Sequence, residues 1–259
     1  MPARSISNAT ISFGLVSVPV NLYATAESTA KVSFNMLHKK CGTRLKQQYV
    51  CPKDNEIVTR DETVKGYEFA KDQYVVLTTE ELKGLEEKGT GTIDVLEFVS
   101  LASVDRTWIE HTYYLGPDKG GDRAYRLLAA ALQDTGRAAL GQYAARGQQH
   151  LVLLRPADGV IVMEQLHYMD EVRPTSEVPV PKADVKPSEL KMAKQLIDQM
   201  STDTFEPEKY KDTVRERVLE TIQKKVEGQD ITSDIKPEKG GAKIIDLMDA
   251  LKASLAKAS

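Results

Sequence analysis

The chain has 259 residues, of which 41% are hydrophobic and 28% are charged. These values are typical of a globular protein and exclude general disorder, and the length predicts one large domain or one domain with a small appendage. No apolar run approaches the roughly 18 residues of a membrane span, the start of the sequence lacks a signal-peptide pattern, and two cysteines exclude a disulfide scaffold. We therefore expect a cytoplasmic protein.

The net charge of −3 argues mildly against a protein that binds nucleic acid, but the charges are segregated along the chain. No acidic residue occurs between Glu27 and Asp54 or between Asp134 and Asp158. These acid-free stretches hold Lys31, Lys39, Lys40, Arg44, Lys46, Arg137, Arg146 and Arg155. Such segregation favours a local anion-binding surface, and an ordinary solvated face remains the alternative.

Alternating hydrophobic residues predict strands through the first two thirds of the chain. Residues 11–23 are predicted as one strand whose phase changes after Gly14, which indicates a β-bulge or a bend. Further strands are predicted at 74–78, 92–99, 111–115, 150–154 and 160–168. The last two flank Arg155–Gly159, whose Pro, Asp and Gly suit the turn of an antiparallel hairpin.

Helices are few in this part of the chain, and the clearest is predicted at Asp122–Thr135. Its residues Tyr125, Leu128 and Leu132 share one face, and Gly136 marks the end. Because loops rather than regular helices connect the strands, we expect an α+β fold with an antiparallel β-barrel core and inserted helices.

The composition changes after Arg173, which we take as the end of a core domain at residues 1–173. Residues 174–187 contain four prolines and predict an extended connector. A helical arm follows at 188–228, with Ser188 as the first cap and Pro207 in the first turn of a second helix. Residues 229–242 are expected to form a flexible tether, and 243–259 a short amphipathic helix.

Enzyme motifs are absent, but four residues have the spacing of a metal site. No Walker A loop, no nucleophile elbow and no H-E-x-x-H motif occurs. His38 and Cys41 precede Cys51 and Asp54 in the form H-x2-C…C-x2-D, so the four could ligate a structural zinc ion, with Asp as the less usual fourth ligand. A metal-free β-hairpin with two free thiols is the favoured alternative.

Several short motifs, in this order and spacing, resemble the bacterial Ku family of DNA-end-binding proteins over about residues 5–255. The motifs are ISFGLVSVPVNLY at 11–23, VKGY at 64–67, YYLGPD at 113–118, AYRLL at 124–128, YMDEVR at 168–173, ELKMA at 189–193 and DLMDAL at 246–251. The resemblance implies a β-barrel core whose homodimer forms a ring on a double-stranded DNA end without reading sequence. It also implies recruitment of the ATP-dependent DNA ligase D through the C-terminal region, a role in non-homologous end joining at the nucleoid, and no enzymatic activity.

Sequence-independent DNA binding needs cationic side chains that reach phosphates. The residues that we expect to do so are Lys31, Lys39, Lys40, Arg44, Lys46, Arg123, Arg126, Arg137, Arg146 and Arg155. The apolar stripe of the terminal helix, expected to bind the ligase, is Ile244, Met248, Leu251 and Leu255. The alternatives are a protein-interaction scaffold that binds no DNA and a metal-dependent nuclease that uses dispersed carboxylates.

Overall fold

The structure, a computed structural model, describes residues 3–26, 32–85, 91–145 and 147–228. Its contacts divide the chain into two compact units. The first comprises Met1–Ser28 and Phe34–Thr175, and the second comprises Thr29–Ser33 and Ser176–Ser259. Within the described ranges, no helix is both long enough and apolar enough to cross a membrane.

Residues 7–24 form a β-hairpin, so the prediction of a single bulged strand over 11–23 is wrong. Strand β1 spans Ser7–Phe13 and strand β2 spans Val16–Ala24, and the two pair antiparallel. Gly14 in the turn has a φ of 57°, and Leu15 beside it is fully exposed. A two-residue turn and a β-bulge both shift the alternation of hydrophobic residues, so the sequence pattern does not distinguish them. Here the shift marks a turn, at which the chain reverses direction.

Seven strands of the first unit form a closed barrel, which confirms the predicted fold class. In the described residues the strands after β2 are β3 Tyr49–Val50, β4 Ile57–Val58, β5 Lys65–Ala70, β6 Gln73–Leu77, β7 Thr92–Ser100, β8 Ile109–Pro117, β9 Arg137–Ala145, β10 Gln148–Ala157 and β11 Val160–Leu166. The barrel order is β1-β2-β8-β11-β10-β9-β7. Neighbours pair antiparallel except β1 and β7, which close the barrel as a parallel pair.

The described residues of this unit include two α-helices, α1 at Thr79–Leu85 and α2 at Asp122–Thr135. The bounds of α2 are those predicted, and Gly136 ends it in the left-handed conformation with a φ of 63°. The apolar face of α2 packs into the core of the barrel. That core consists of Ile11, Val18, Val20, Ile93, Leu115, Tyr125, Leu128, Leu132, Val152, Leu154, Ile161 and Met163, with Ala9, Leu22, Ala129 and Ala139.

Tyr125 fastens α2 to the barrel through its hydroxyl group. The hydroxyl donates a hydrogen bond to the carbonyl oxygen of Leu115 at 2.5 Å and accepts one from the amide of Ile161 at 2.8 Å. Leu115 and Ile161 face each other on β8 and β11. The hydroxyl therefore bridges two paired strands, and burial raises the pKa of Tyr125.

Strand β9 is not among the strands that the sequence predicts, because alanine and glycine dominate it and β-branched residues are missing. Its small residues have a structural reason. A Cβ on Gly141 would lie 2.6 Å from the carbonyl oxygen of Asp94 on β7, where the pairing is irregular between Val95 and Glu97. Only glycine fits this close approach of two backbones.

Between residues 176 and 228, the second unit contains two α-helices of 14 residues each, α3 at Pro187–Met200 and α4 at Thr213–Val226. Helix α3 begins with Pro187 and Lys186 is its N-cap. Ser188 therefore lies inside the helix, and the prediction that it caps the helix is wrong. Pro207 begins a separate 3₁₀ turn, Pro207–Lys209, instead of the second helix. That helix starts six residues later because Asp212 caps it, accepting a hydrogen bond from the amide of Arg215 at 3.0 Å.

Candidate nucleic-acid interface

Residues 36–46 form a short, solvent-exposed hairpin that we call the basic hairpin. Its amide of His38 donates to the carbonyl of Thr43 at 2.8 Å, and Leu45 donates to Met36 at 2.9 Å. Gly42 makes the turn with a φ of 68°. The hairpin carries Lys39, Lys40, Arg44 and Lys46, which are all exposed. Lys39 and Lys40 lie in its turn.

The cations of the basic hairpin have no acidic partner among the described residues. The ion pairs found there involve His111, Arg155, His167, Lys186 and Lys209, and none involves the hairpin. Unpaired, exposed ammonium and guanidinium groups keep their full attraction for phosphate, because no carboxylate competes for them. The geometry thus suits contact with a nucleic-acid backbone.

Three further predicted cations lie on or beside α2. Arg123 and Arg126 are exposed on the side of the helix opposite its buried face, and neither has an ion pair within the described residues. Arg137 is exposed at the start of β9, directly after the glycine that ends α2, and its Nη1 donates to the carbonyl of Phe98 at 3.4 Å. Helix α2 therefore presents two cations outward, and its end presents a third.

Arg155 differs from the other predicted cations, because it forms an ion pair within the barrel wall. Its Nε donates to Oε1 of Glu164 at 2.6 Å, and its side chain is 29% exposed. Glu164 was not singled out from the sequence. The predicted turn at Arg155–Gly159 could have pointed to Glu164. In the hairpin that this turn forms, residues 155 and 164 are diagonal neighbours on the same face.

Several predicted site residues lie outside the described residues. Lys31 and Arg146 of the predicted DNA-binding set are among them, as are the tether at 229–242 and the terminal helix at 243–259. The predicted ligase-binding stripe, Ile244, Met248, Leu251 and Leu255, therefore also falls outside. For these residues the sequence-based expectations stay predictions.

The four predicted metal ligands stand as two pairs in the structure. Nδ1 of His38 lies 3.1 Å from Sγ of Cys41, and a hydrogen bond with Cys51 lowers the pKa of Asp54. Among the described residues, which include all four, no group of three or more His, Cys, Asp or Glu side chains is placed to hold a metal ion. The four predicted ligands are thus not brought together as one zinc site in the described residues.

Cys41 is an exposed thiol with an altered acidity. Hydrogen bonds from the side chain and backbone of Thr43, together with His38, lower the pKa of Cys41 to about 7. Oγ1 of Thr43 lies 3.3 Å from the sulfur and can donate to the thiolate. The thiolate is therefore well populated at neutral pH.

A second exposed hairpin, residues 64–77, carries apolar side chains that nothing covers in the described residues; we call it the apolar hairpin. Strands β5 and β6 pair only with each other, and every residue of β5 is exposed. Its exposed large apolar residues are Val64, Tyr67, Phe69, Tyr74, Val75 and Val76. An isolated two-stranded sheet is marginally stable in water, so this surface suits burial against another protein surface.

The amino-acid sequence matches a family of known proteins. The model of the Ku family, described as the Ku70/Ku80 β-barrel domain, matches residues 12–192. A non-homologous end joining protein Ku from Paraburkholderia phymatum is 41% identical over 258 residues, which cover 98% of this chain and 83% of that protein. Proteins of the same name from Koribacter versatilis and Bacillus subtilis are 42% and 40% identical, over 98% and 95% of this chain and 86% and 79% of their own lengths. The closed barrel, the match over most of the chain and these near full-length relatives together place the protein in the Ku family.

Proposed function

We propose that this protein binds double-stranded DNA ends independently of sequence, as a homodimeric ring in non-homologous end joining. The observation that carries the proposal is the basic hairpin, where four exposed cations have no acidic partner in the part of the chain that the structure describes, on a protein of net charge −3. Phosphate contacts position a protein on DNA without reading bases, so such a surface supports sequence-independent binding. The relatives named above carry end joining in their names, which agrees with this role.

The apolar hairpin supports the homodimer. Its exposed aromatic and β-branched side chains, and strand edges that pair with no other strand among the described residues, give a surface that the same surface of a second copy can cover. Two-fold symmetry then doubles the number of phosphate contacts, because each copy contributes its own basic hairpin. The ring model therefore predicts a dimer at micromolar concentration by sedimentation, and a monomer that persists with DNA bound would contradict it.

The experiment that tests end binding compares linear duplex, covalently closed circular duplex and single-stranded DNA in gel-shift series, with and without magnesium. A threaded ring binds linear duplex of any sequence and does not load on closed circles. Equal affinity for linear and closed circular DNA would contradict the ring, and magnesium-dependent cleavage would favour a nuclease instead.

The role of the basic hairpin is tested by its salt dependence. The triple variant Lys39→Gln, Lys40→Gln, Arg44→Gln should reduce the slope of log K against log salt by about 0.9 for each lost phosphate contact, so by up to about 3 per copy. All duplex sequences should be weakened alike. The matched control neutralises three exposed cations outside the acid-free stretches and outside the apolar hairpin, Arg60→Gln, Lys83→Gln and Lys191→Gln, and should leave the slope nearly unchanged.

We further propose that the C-terminal segment recruits an ATP-dependent DNA ligase of the ligase D type. The segment after the Gly240-Gly241 pair carries a nearly balanced charge, so it attracts phosphate weakly, and its apolar stripe suits a helix-in-groove contact. A chain truncated after Gly241 should keep its melting temperature and its affinity for DNA ends but no longer stimulate end joining by the ligase. A large drop in melting temperature or loss of DNA binding would show that the segment is structural.

A further inference from the structure

A cleft of about 600 Å³ lies on the barrel wall beside β10 and β11, against the segment that joins β7 to β8. Leu101, Val104 and Leu153 form its apolar wall. Its polar groups come from Arg106, Arg155 and Glu164. The cleft belongs to the first unit alone, and the proposed function uses neither Arg106 nor Glu164.

Glu164 is the one charged residue buried among the described residues, with 4% of its surface exposed. A buried carboxylate is costly unless it is paired, and Arg155 supplies the pair through Nε at 2.6 Å. No hydrogen bond to the two Nη atoms of Arg155 is formed within the described residues. Glu164 therefore holds the guanidinium in one orientation and leaves its terminal donors for a guest in the cleft.

Arg106 adds a second cation to the same cleft. It is exposed on the 3₁₀ turn Arg106–Trp108, and the neighbouring carboxylate of Asp105 is held by the amide and hydroxyl of Thr107, both within 2.8 Å. Two guanidinium groups against one lining carboxylate give the cleft a net positive charge, which favours an anionic guest. A fixed guanidinium also matches a planar carboxylate with two parallel hydrogen bonds.

We propose that this cleft binds an acidic peptide segment of a partner protein, with an Asp or Glu carboxylate on the two guanidiniums and an adjacent aliphatic side chain against the apolar wall. Duplex DNA satisfies these features less well. The sugar-phosphate backbone has no aliphatic side chain to cover Leu101, Val104 and Leu153.

Fluorescence polarisation of a labelled peptide, acetyl-Ala-Leu-Asp-Leu-Ala, tests the proposal on the full-length chain, with the Asn peptide as the control ligand. We expect saturable binding of the Asp peptide that is about tenfold tighter than that of the Asn peptide, as loss of one charge-assisted contact implies. Arg106→Gln should weaken the Asp peptide by about tenfold. Arg60→Gln removes an exposed arginine elsewhere in the same unit and should have no effect.

A second variant addresses orientation separately from charge. Arg155→Lys keeps a cation beside Glu164, so the barrel should retain its melting temperature, but it loses the planar pair of donors and should weaken the peptide by a similar factor. Equal affinity for the Asp and Asn peptides, or unchanged binding in both Arg106→Gln and Arg155→Lys, would overturn the proposal. If the same two variants weaken linear duplex DNA and leave the peptide unaffected, the cleft serves DNA and the peptide site is refuted.

Discussion

Replacement of Tyr125 by Phe isolates one hydroxyl group that joins helix α2 to two strands of the barrel. The substitution keeps the ring, which is 4% exposed, and removes the hydroxyl that bonds Leu115 at 2.5 Å and Ile161 at 2.8 Å. A buried backbone group left without a partner costs about 1–3 kcal/mol, and two groups are affected here. The two groups are neighbours, so local rearrangement can reduce both costs at once and the costs do not simply add. We therefore expect the free energy of unfolding to fall by about 2–4 kcal/mol.

Urea unfolding followed by circular dichroism measures this change, and the slope with urea should stay the same because the surface exposed on unfolding does not change. In a thermal scan, the drop in Tm should be roughly 5–15 °C for a unit of this size. Tyr114→Phe is the control, since Tyr114 is 43% exposed and its hydroxyl makes no hydrogen bond within the described residues. A loss below about 0.5 kcal/mol for Tyr125→Phe, within the usual range of surface substitutions, would refute the reasoning.

Two further predictions concern a close backbone approach and a thiol. Gly141→Ala should destabilise the barrel by about 3 kcal/mol or more, because the new Cβ would meet the carbonyl oxygen of Asp94 at 2.6 Å, whereas Gly84→Ala, in open space on α1, should be neutral or stabilising in the same melt. Alkylation of Cys41 by iodoacetamide should rise with pH around a midpoint of about 7, and Thr43→Val should move that midpoint upward, since Thr43 contributes most to the lowered pKa. Peptide mass spectrometry follows the alkylation, and a midpoint unchanged by Thr43→Val would contradict the assigned cause.

The fold was accessible from sequence where local signals were strong and agreed with one another. Helix α2 combines a full apolar stripe with a terminal glycine, and its bounds were predicted without error. Strand β9 was missed because its small residues do not follow a strand pattern. Gly141 is required by the close approach of the backbone at Asp94, which is distant in sequence. The parallel pairing of β1 with β7 was also beyond reach, since nothing local to either strand encodes its partner.

For the candidate site, the sequence located the cations of the basic hairpin, because the absence of nearby acids is a one-dimensional signal. It did not reveal which cations are already engaged. Arg155 and Glu164 meet only through the register of a hairpin, and Arg106 joins them only because the segment before β8 folds over the barrel wall. The sequence predicts a strand at 74–78 but not the exposure of the apolar hairpin, since exposure is a property of the folded chain rather than of the residues Tyr67 and Phe69 themselves.

The closing pair of the barrel has a consequence for synthesis on the ribosome. The hairpin β1–β2 is complete at Ala24, but its two neighbours, β7 and β8, begin only at Thr92 and Ile109. At about 5–20 residues per second, roughly 3–14 s pass between the completion of the hairpin and the start of synthesis of β7, its first partner strand. Throughout that interval the apolar face and both edges of the hairpin are open, so the nascent chain is most vulnerable to mispairing at this stage, and chaperone contact should concentrate on strands β1 and β2.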